Sequence, residues 1–176
     1  MRAARPVLRR IALCLLAASA CARTVAYAQA DLYSLEAAYI YNFTEFTMWP
    51  AAPPGGTSLT VCVSTHSPLG ATLAKLDGRA VAGRAWSVKP IADNAALPAC
   101  NVLIVDDPAS IALAKAAPAL PILVVRTADS DGGDSRSVIT LFREGDRLRF
   151  DIDNTEAVRR RLGLSSKLLR LARNVT

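Results

Sequence analysis

The chain has 176 residues, with 21 basic against 15 acidic side chains, one histidine and four cysteines, enough for one compact domain. Its basic excess does not point to nucleic acid, because five arginines and no acid fall in the first 30 residues, and without them 16 basic face 15 acidic residues. Two cysteines also fall in that segment. The other two, Cys62 and Cys100, have no second cysteine nearby, which excludes a CxxC redox site and a thiolate zinc site.

Residues 1–30 read as a secretory signal peptide. Arg2, Arg5, Arg9 and Arg10 precede a short apolar run, Ile11 to Ala20, and two A-x-A patterns end at Ala28 and Ala30. The apolar run is too short for a spanning helix, and the domain is expected over 31–176, with a mature start at Gln29 or Asp31. Cys21, after Ala18-Ser19-Ala20, leaves a lipoprotein reading open. Export places the chain in an oxidising compartment, so Cys62 and Cys100 are expected to form a disulfide closing a ring of about 39 residues, a constraint of roughly 4 kcal/mol in the chain-entropy model.

Asp31 to Trp49 predicts one helix with a stripe of Leu35, Ala38, Ile40, Phe43, Phe46 and Met48, ended by Trp49-Pro50. Ala51 to Gly56 is a turn-rich linker. Leu59 to Ser64 predicts a strand, and Ser67-Pro68 predicts the cap and first residue of a helix reaching about Leu76. Ala85 to Ile91 predicts a strand near an edge, because of Pro90. Asn101 to Val105 and Pro121 to Arg126 are continuous apolar runs, as in strands buried on both faces; between them Asp106-Asp107-Pro108 caps a helix over Ala109 to Ala117. A polar loop, Thr127 to Ser135, leads to two strands, Val138 to Arg143 and Arg147 to Ile152, joined by Glu144-Gly145-Asp146. Asp153 or Asn154 then caps a helix that breaks at Gly163 and restarts at Ser165 or Ser166, with Leu168, Leu169, Leu171 and Ala172 as its apolar face. The alternation predicts an α/β fold: a single three-layer sandwich of about six strands, mostly parallel, with a C-terminal hairpin. Charge is uneven along it. Residues 143–176 carry net +4 and residues 31–142 net −3.

Few motifs carry chemistry. His66 follows the first strand, where open α/β sheets bind ligands, and Ser64 and Asp106 could complete a hydrolase set with it. No G-x-S-x-G elbow accompanies them, so no catalytic residue is assigned. Asp106 and Asp107 could hold a metal, but Pro108 makes them a helix cap, and no metal or cofactor is assigned. A glycine-rich phosphate turn is missing. An anion site at Ser165, Ser166 and Lys167 stays open. Trp49 ends an aromatic-rich helix and is a candidate for exposure at an interface.

Two end motifs are recognisable. Glu36-Ala37-Ala38-Tyr39-Ile40-Tyr41-Asn42-Phe43 with Phe46 and Trp49-Pro50, and Phe150-Asp151-Ile152-Asp153 with Ala157, Gly163-Leu164 and Ser165-Ser166-Lys167-Leu168-Leu169-Arg170-Leu171-Ala172, together resemble the signature of the YfiR family. The stretch Leu59 to Cys62 resembles that family's first strand with its cysteine. The resemblance implies a periplasmic, Rossmann-like domain with no enzymatic activity and no cofactor. It implies binding and repression of an inner-membrane diguanylate cyclase through its periplasmic part, which lowers cyclic-di-GMP and biofilm formation. Release would come from redox change or an outer-membrane OmpA-like lipoprotein, and self-association as a homodimer is a further expectation. Phe150, Asp151, Ala157 and Leu164 are the expected partner-binding residues. A small-ligand receptor is the alternative, with a pocket between the Phe46–Trp49 helix end and Gly163–Lys167, using Trp49, Ser165, Ser166 and Lys167. The chain departs from the family in having cysteines for one disulfide rather than two, and Asp-Ile-Asp where the family prefers Glu-Ile-Asn.

Overall fold

A computed structural model describes residues 32–50, 57–92, 95–97, 99–130 and 136–176. The expected signal peptide, its cleavage point, the 51–56 linker and residues 131–135 of the polar loop lie outside the described residues. The chain divides into two compact units, Met1–Ser34 and Leu35–Thr176. Of the first, residues 32–34 are described, and they are helical.

The second unit opens on helix α1, residues 35–45. It stops four residues before the expected end. The hydroxyl of Thr44 donates to the Tyr41 carbonyl (2.6 Å) and that of Thr47 to the Phe43 carbonyl (2.7 Å), and such back-bonding competes with helix propagation. Thr47–Met48 instead form a short strand, β1.

The order continues as β2 (Ser58–Ser64), α2 (Gly70–Ala74), β3 (Ala80–Val81), β4 (Arg84–Ile91), β5 (Val102–Val105), α3 (Pro108–Ala116), β6 (Leu123–Arg126), β7 (Ile139–Glu144), β8 (Arg147–Ile152), α4 (Asn154–Arg159), β9 (Gly163–Leu164), α5 (Ser166–Leu171) and β10 (Asn174–Val175). Ser67 does not cap α2. Its hydroxyl donates to the Asp106 carboxylate, and the helix starts later, at Gly70. Asp107 does cap α3, accepting from the Ser110 amide (2.7 Å). Asp153 and Ser165 cap α4 and α5 in the same way.

One sheet runs β10-β8-β7-β6-β5-β2-β4-β3. Its strands β4, β2, β5, β6 and β7 are parallel, and β8 returns antiparallel beside β7. The expected α/β class with a mainly parallel sheet holds, but among the described residues this sheet has eight strands rather than about six, and β1 and β9 form a separate pair. The two extra, β3 and β10, are two residues long and defined by their neighbours. The register separates two faces. Val61, Val102, Ile104, Leu123, Val125, Ile139 and Phe150 share one, which α1 covers; Phe43 stacks on Phe150 with ring centroids 4.9 Å apart. Cys62, Leu103, Val105 and Val124 share the other and pack with Ala114 of α3. All four β5 residues are buried, as a strand covered on both faces requires.

At the β3 side the sheet edge is closed. Trp86 exchanges backbone hydrogen bonds with Gly78 and Arg79, the Val88 amide donates to Asp77 Oδ1 (2.8 Å), and Pro90 has no amide. These are devices that blunt an edge strand.

Candidate functional site

The α3-side face of β7 and β8 carries Thr140, Phe142 and Glu144 opposite Asp151, Arg149 and Arg147. All six are exposed or half-buried, whereas Ile139, Leu141, Leu148, Phe150 and Ile152 on the opposite face are buried. Arg173, just before β10, lies over this open face. Its guanidinium meets Asp151 with two hydrogen bonds (2.7 and 3.1 Å), approaches Glu144 (3.6 Å) and stacks on the Phe142 ring at 4.1 Å. Arg149 also reaches Glu144 (3.5 Å). Those two carboxylates, the first by hydrogen bonding, hold the Arg173 pKa above its ordinary value. The face is thus polar, arginine-rich and pre-ordered around one aromatic ring.

The expected partner-binding residues separate here. Asp151 lies on this face. Phe150 (5% exposed) and Ala157 (0%) offer no side-chain surface, which corrects the expectation that they meet a partner directly. Phe150 stacks under Phe43 and Tyr39. Ala157 lies on the inner side of α4, beside Glu156 and Arg160, which are also buried. Arg160 Nε donates to Glu156 Oε1 (2.9 Å), and its other nitrogens reach the carbonyls of Ala117, Ala114 and Arg136 (3.0–3.3 Å). This clamp ties α4 to the end of α3. It was legible in the sequence as an i, i+4 acid–base pair sharing a face with Ala157. Leu164 is half-buried and pairs with Thr47 across β1 and β9.

That pairing also occupies the place foreseen for a ligand pocket. Met48 lies opposite Gly163, and a Cβ on Gly163 would come within 3.0 Å of Met48 Cε. The Ser165 amide donates to the Phe46 carbonyl (3.0 Å). The helix end and the Gly163–Lys167 segment are therefore joined rather than separated by a cleft. Ser165 is spent on capping, and Ser166 and Lys167 are exposed on a six-residue helix. Trp49 is half-buried, its Nε1 donating to the Asn101 carbonyl (3.2 Å). The apolar face expected for α5 is partly covered: Leu168 is buried and Leu169 and Ala172 are half-buried, whereas Leu171 is 66% exposed.

The strand crossing reverses between β2 and β5, and the carboxyl ends of those strands bring together Ser64, His66, Ser67, Asp106 and Asp107. This is where open sheets receive ligands. The hydroxyls here already serve local structure. Ser64 Oγ accepts from the His66 amide (3.2 Å), and Ser67 bonds Asp106. Burial raises the Asp106 pKa despite that bond, and its Oδ1 has no partner. For Asp107, burial is outweighed by hydrogen bonds from Ser64 and Ser110 and by nearby His66, so its pKa falls below the ordinary value. The adjacent cleft, lined by Ser64, Ile91 and Ser110 among others, has room for about one water molecule. Above the next strand, Glu36 of α1 is 1% exposed and accepts from the Ala128 amide (2.8 Å). Burial, reinforced by Asp129 and Asp106 against that hydrogen bond, pushes its pKa up to about 7. Glu36 was readable as buried from its i, i+4, i+7 spacing to Ile40 and Phe43.

Cys62 and Cys100 are joined, with Cα atoms 5.9 Å apart. Both are buried against α3 in the apolar cluster. Among the described residues, no helix is long and apolar enough to cross a membrane.

The model of a family described as YfiR/HmsC-like matches residues 33–173. No curated protein matches the chain.

Proposed function

The chain belongs to the YfiR/HmsC-like family, and on that premise we propose that it is a periplasmic regulator that binds the periplasmic part of an inner-membrane diguanylate cyclase and represses it. Cyclic-di-GMP and biofilm formation are then held low, without any turnover by this chain. The observation that supports this reading best is the open face of β7 and β8. It presents three arginines (Arg147, Arg149 and Arg173) on the last hairpin and the segment behind it, the last of them stacked on the half-buried Phe142 ring. Arginine and aromatic side chains are favoured at interface cores, and a basic surface would steer an acidic partner. Asp151 holds Arg173 in position on that face, while Phe150 and Ala157 act from beneath as packing. Sequestration by an OmpA-like lipoprotein and self-association as a homodimer belong to the same reading.

The test is cellular cyclic-di-GMP in a strain lacking the protein. The level is expected to rise and to fall again with the intact gene. An Arg149→Glu copy that accumulates normally is expected not to restore it. No rise on deletion overturns the proposal; full restoration by Arg149→Glu overturns the placement of the surface.

A further inference from the structure

Arg84 begins β4, directly after the tight turn at Ala82 and Gly83, both of which have positive φ (48° and 75°). A left-handed alanine costs about 1–2 kcal/mol, so the turn needs external support. Glu45 of α1 gives it, accepting from the Ala82 amide (3.3 Å). The carboxylate of Glu45 is thereby committed to the turn and not to the arginine. The Arg84 guanidinium lies over the Trp49 ring, 5.2 Å from its centroid. That ring is fixed in its turn by the bond from Nε1 to the Asn101 carbonyl. Arg84 is half-buried, and burial lowers its pKa.

Two other arginines show what is missing. Arg160 is buried but answered by Glu156 and three carbonyls. Arg173 stacks on an aromatic ring and is answered by Asp151 and Glu144. Arg84 has the stacking and the partial burial, but among the described residues no carboxylate or carbonyl accepts from it. A guanidinium stacked on a locked indole keeps its edge free for a planar acceptor and loses little freedom on binding one.

We propose that Arg84 and Trp49 form a recognition site for a carboxylate side chain of a partner polypeptide. The site lies at the amino ends of the parallel strands, away from the Ser64–Asp107 cluster at their carboxyl ends. A polypeptide acid fits better than a free anion for two reasons. Met48, next to Trp49 in the chain, is 61% exposed, an apolar neighbour that the flank of a peptide would cover and that an inorganic anion would not use. A phosphate site also gathers several backbone amides or cations, and among the described residues Arg84 is the one cation placed over the Trp49 ring. The proposal rests on reading the chain as a protein-binding regulator, and it adds a second contact chemistry to that reading.

The chain has two tryptophans, so indole 15N NMR of the signal-free protein gives two side-chain resonances, with buried Trp86 as the internal reference. A short blocked peptide with one glutamate is expected to shift the Trp49 resonance and leave Trp86 in place. Its glutamine counterpart and inorganic phosphate are expected to shift neither. Arg84→Gln is expected to weaken the response by about tenfold or more, with Arg84→Lys intermediate because it keeps the charge and loses the planar fork. An unmoved Trp86 resonance certifies that each variant is folded. The proposal is overturned by a silent Trp49 with the glutamate peptide, by an equal response in Arg84→Gln, or by phosphate matching the peptide. Because no cyclase enters this experiment, its failure leaves the cyclic-di-GMP test to stand or fall separately.

Discussion

The centre of the sheet and its C-terminal flank are held by different kinds of fastening. In the centre, β2, β5 and β6 are apolar on both faces, and a covalent bridge between Cys62 and Cys100 ties β2 to the segment just before β5. On the flank, β7 and β8 are covered on one face only, and charged pairs join the rest: Glu156 with Arg160 beneath α4, Asp151 and Glu144 with Arg173 on the open side. Burial on two faces leaves the centre little chemistry to offer. The flank keeps its ion pairs where a partner could meet them, and charge rather than redox state controls them.

The strongest test of this contrast is the buried clamp. Arg160→Met removes the buried partner of Glu156 and leaves that carboxylate only the exposed Arg159, with an expected loss of roughly 3–5 kcal/mol. The double change Arg160→Met with Glu156→Leu is expected to recover much of it. Urea unfolding of both variants decides the matter; a single variant as stable as the parent would mean that the pair holds nothing.

Next in size is the bridge. Cys62→Ser is expected to lower stability by about 2–4 kcal/mol, and the parent under reductant should match it. If the two halves are fastened independently, the salt dependence of unfolding is the same in Cys62→Ser as in the parent.

The centre has one titratable weakness, Glu36. Its folded pKa of about 7 lies above the ordinary 4.5, so the folded state holds the proton more tightly. Its contribution is fully present below about pH 4.5 and is lost as the pH rises towards 7. Glu36→Gln keeps an acceptor for the Ala128 amide and removes the titration. It is expected to stabilise the fold by on the order of 2–3 kcal/mol at pH 8 and by little at pH 4, measured by denaturation at both values. An equal effect at both pH values would show that the carboxylate is better solvated than its burial implies.

The smallest effect is expected from Asp151→Asn. Exposed pairs are screened and contribute little, so the unfolding midpoint should barely move and the residual difference should vanish in high salt. A large loss would make the open face a structural element and weaken its reading as a docking surface.

Much of this was legible along the chain. The apolar runs at 102–105 and 123–126 announced buried strands, Asp107, Asp153 and Ser165 announced helix starts, and Gly145, with φ 60°, announced the hairpin turn. What stayed hidden is non-local. The strand β1 that follows α1 is paired by β9, more than 110 residues away, and β3 and β10 are strands only because β4 and β8 lie beside them. A shared motif also does not say which way its residues point. Phe150 belongs to the motif, yet alternation with Leu148 and Ile152 already placed it on the apolar face of β8. Arg84 carries no signal of its own, because the partner missing from it can be seen only when the fold is complete.

The two rims of the sheet differ in a way that limits assembly. Asp77 and Pro90 leave the β4 rim without the donors that another strand would need, while the β10 rim ends the ladder at Asn174 and Val175. Strand addition is therefore blocked at those two positions of the β4 rim. Two copies joined β10 to β10 would present a blocked rim at each end, so such growth terminates at a pair and cannot propagate into a fibre. The limit at the blocked rim is written into a single aspartate and a single proline.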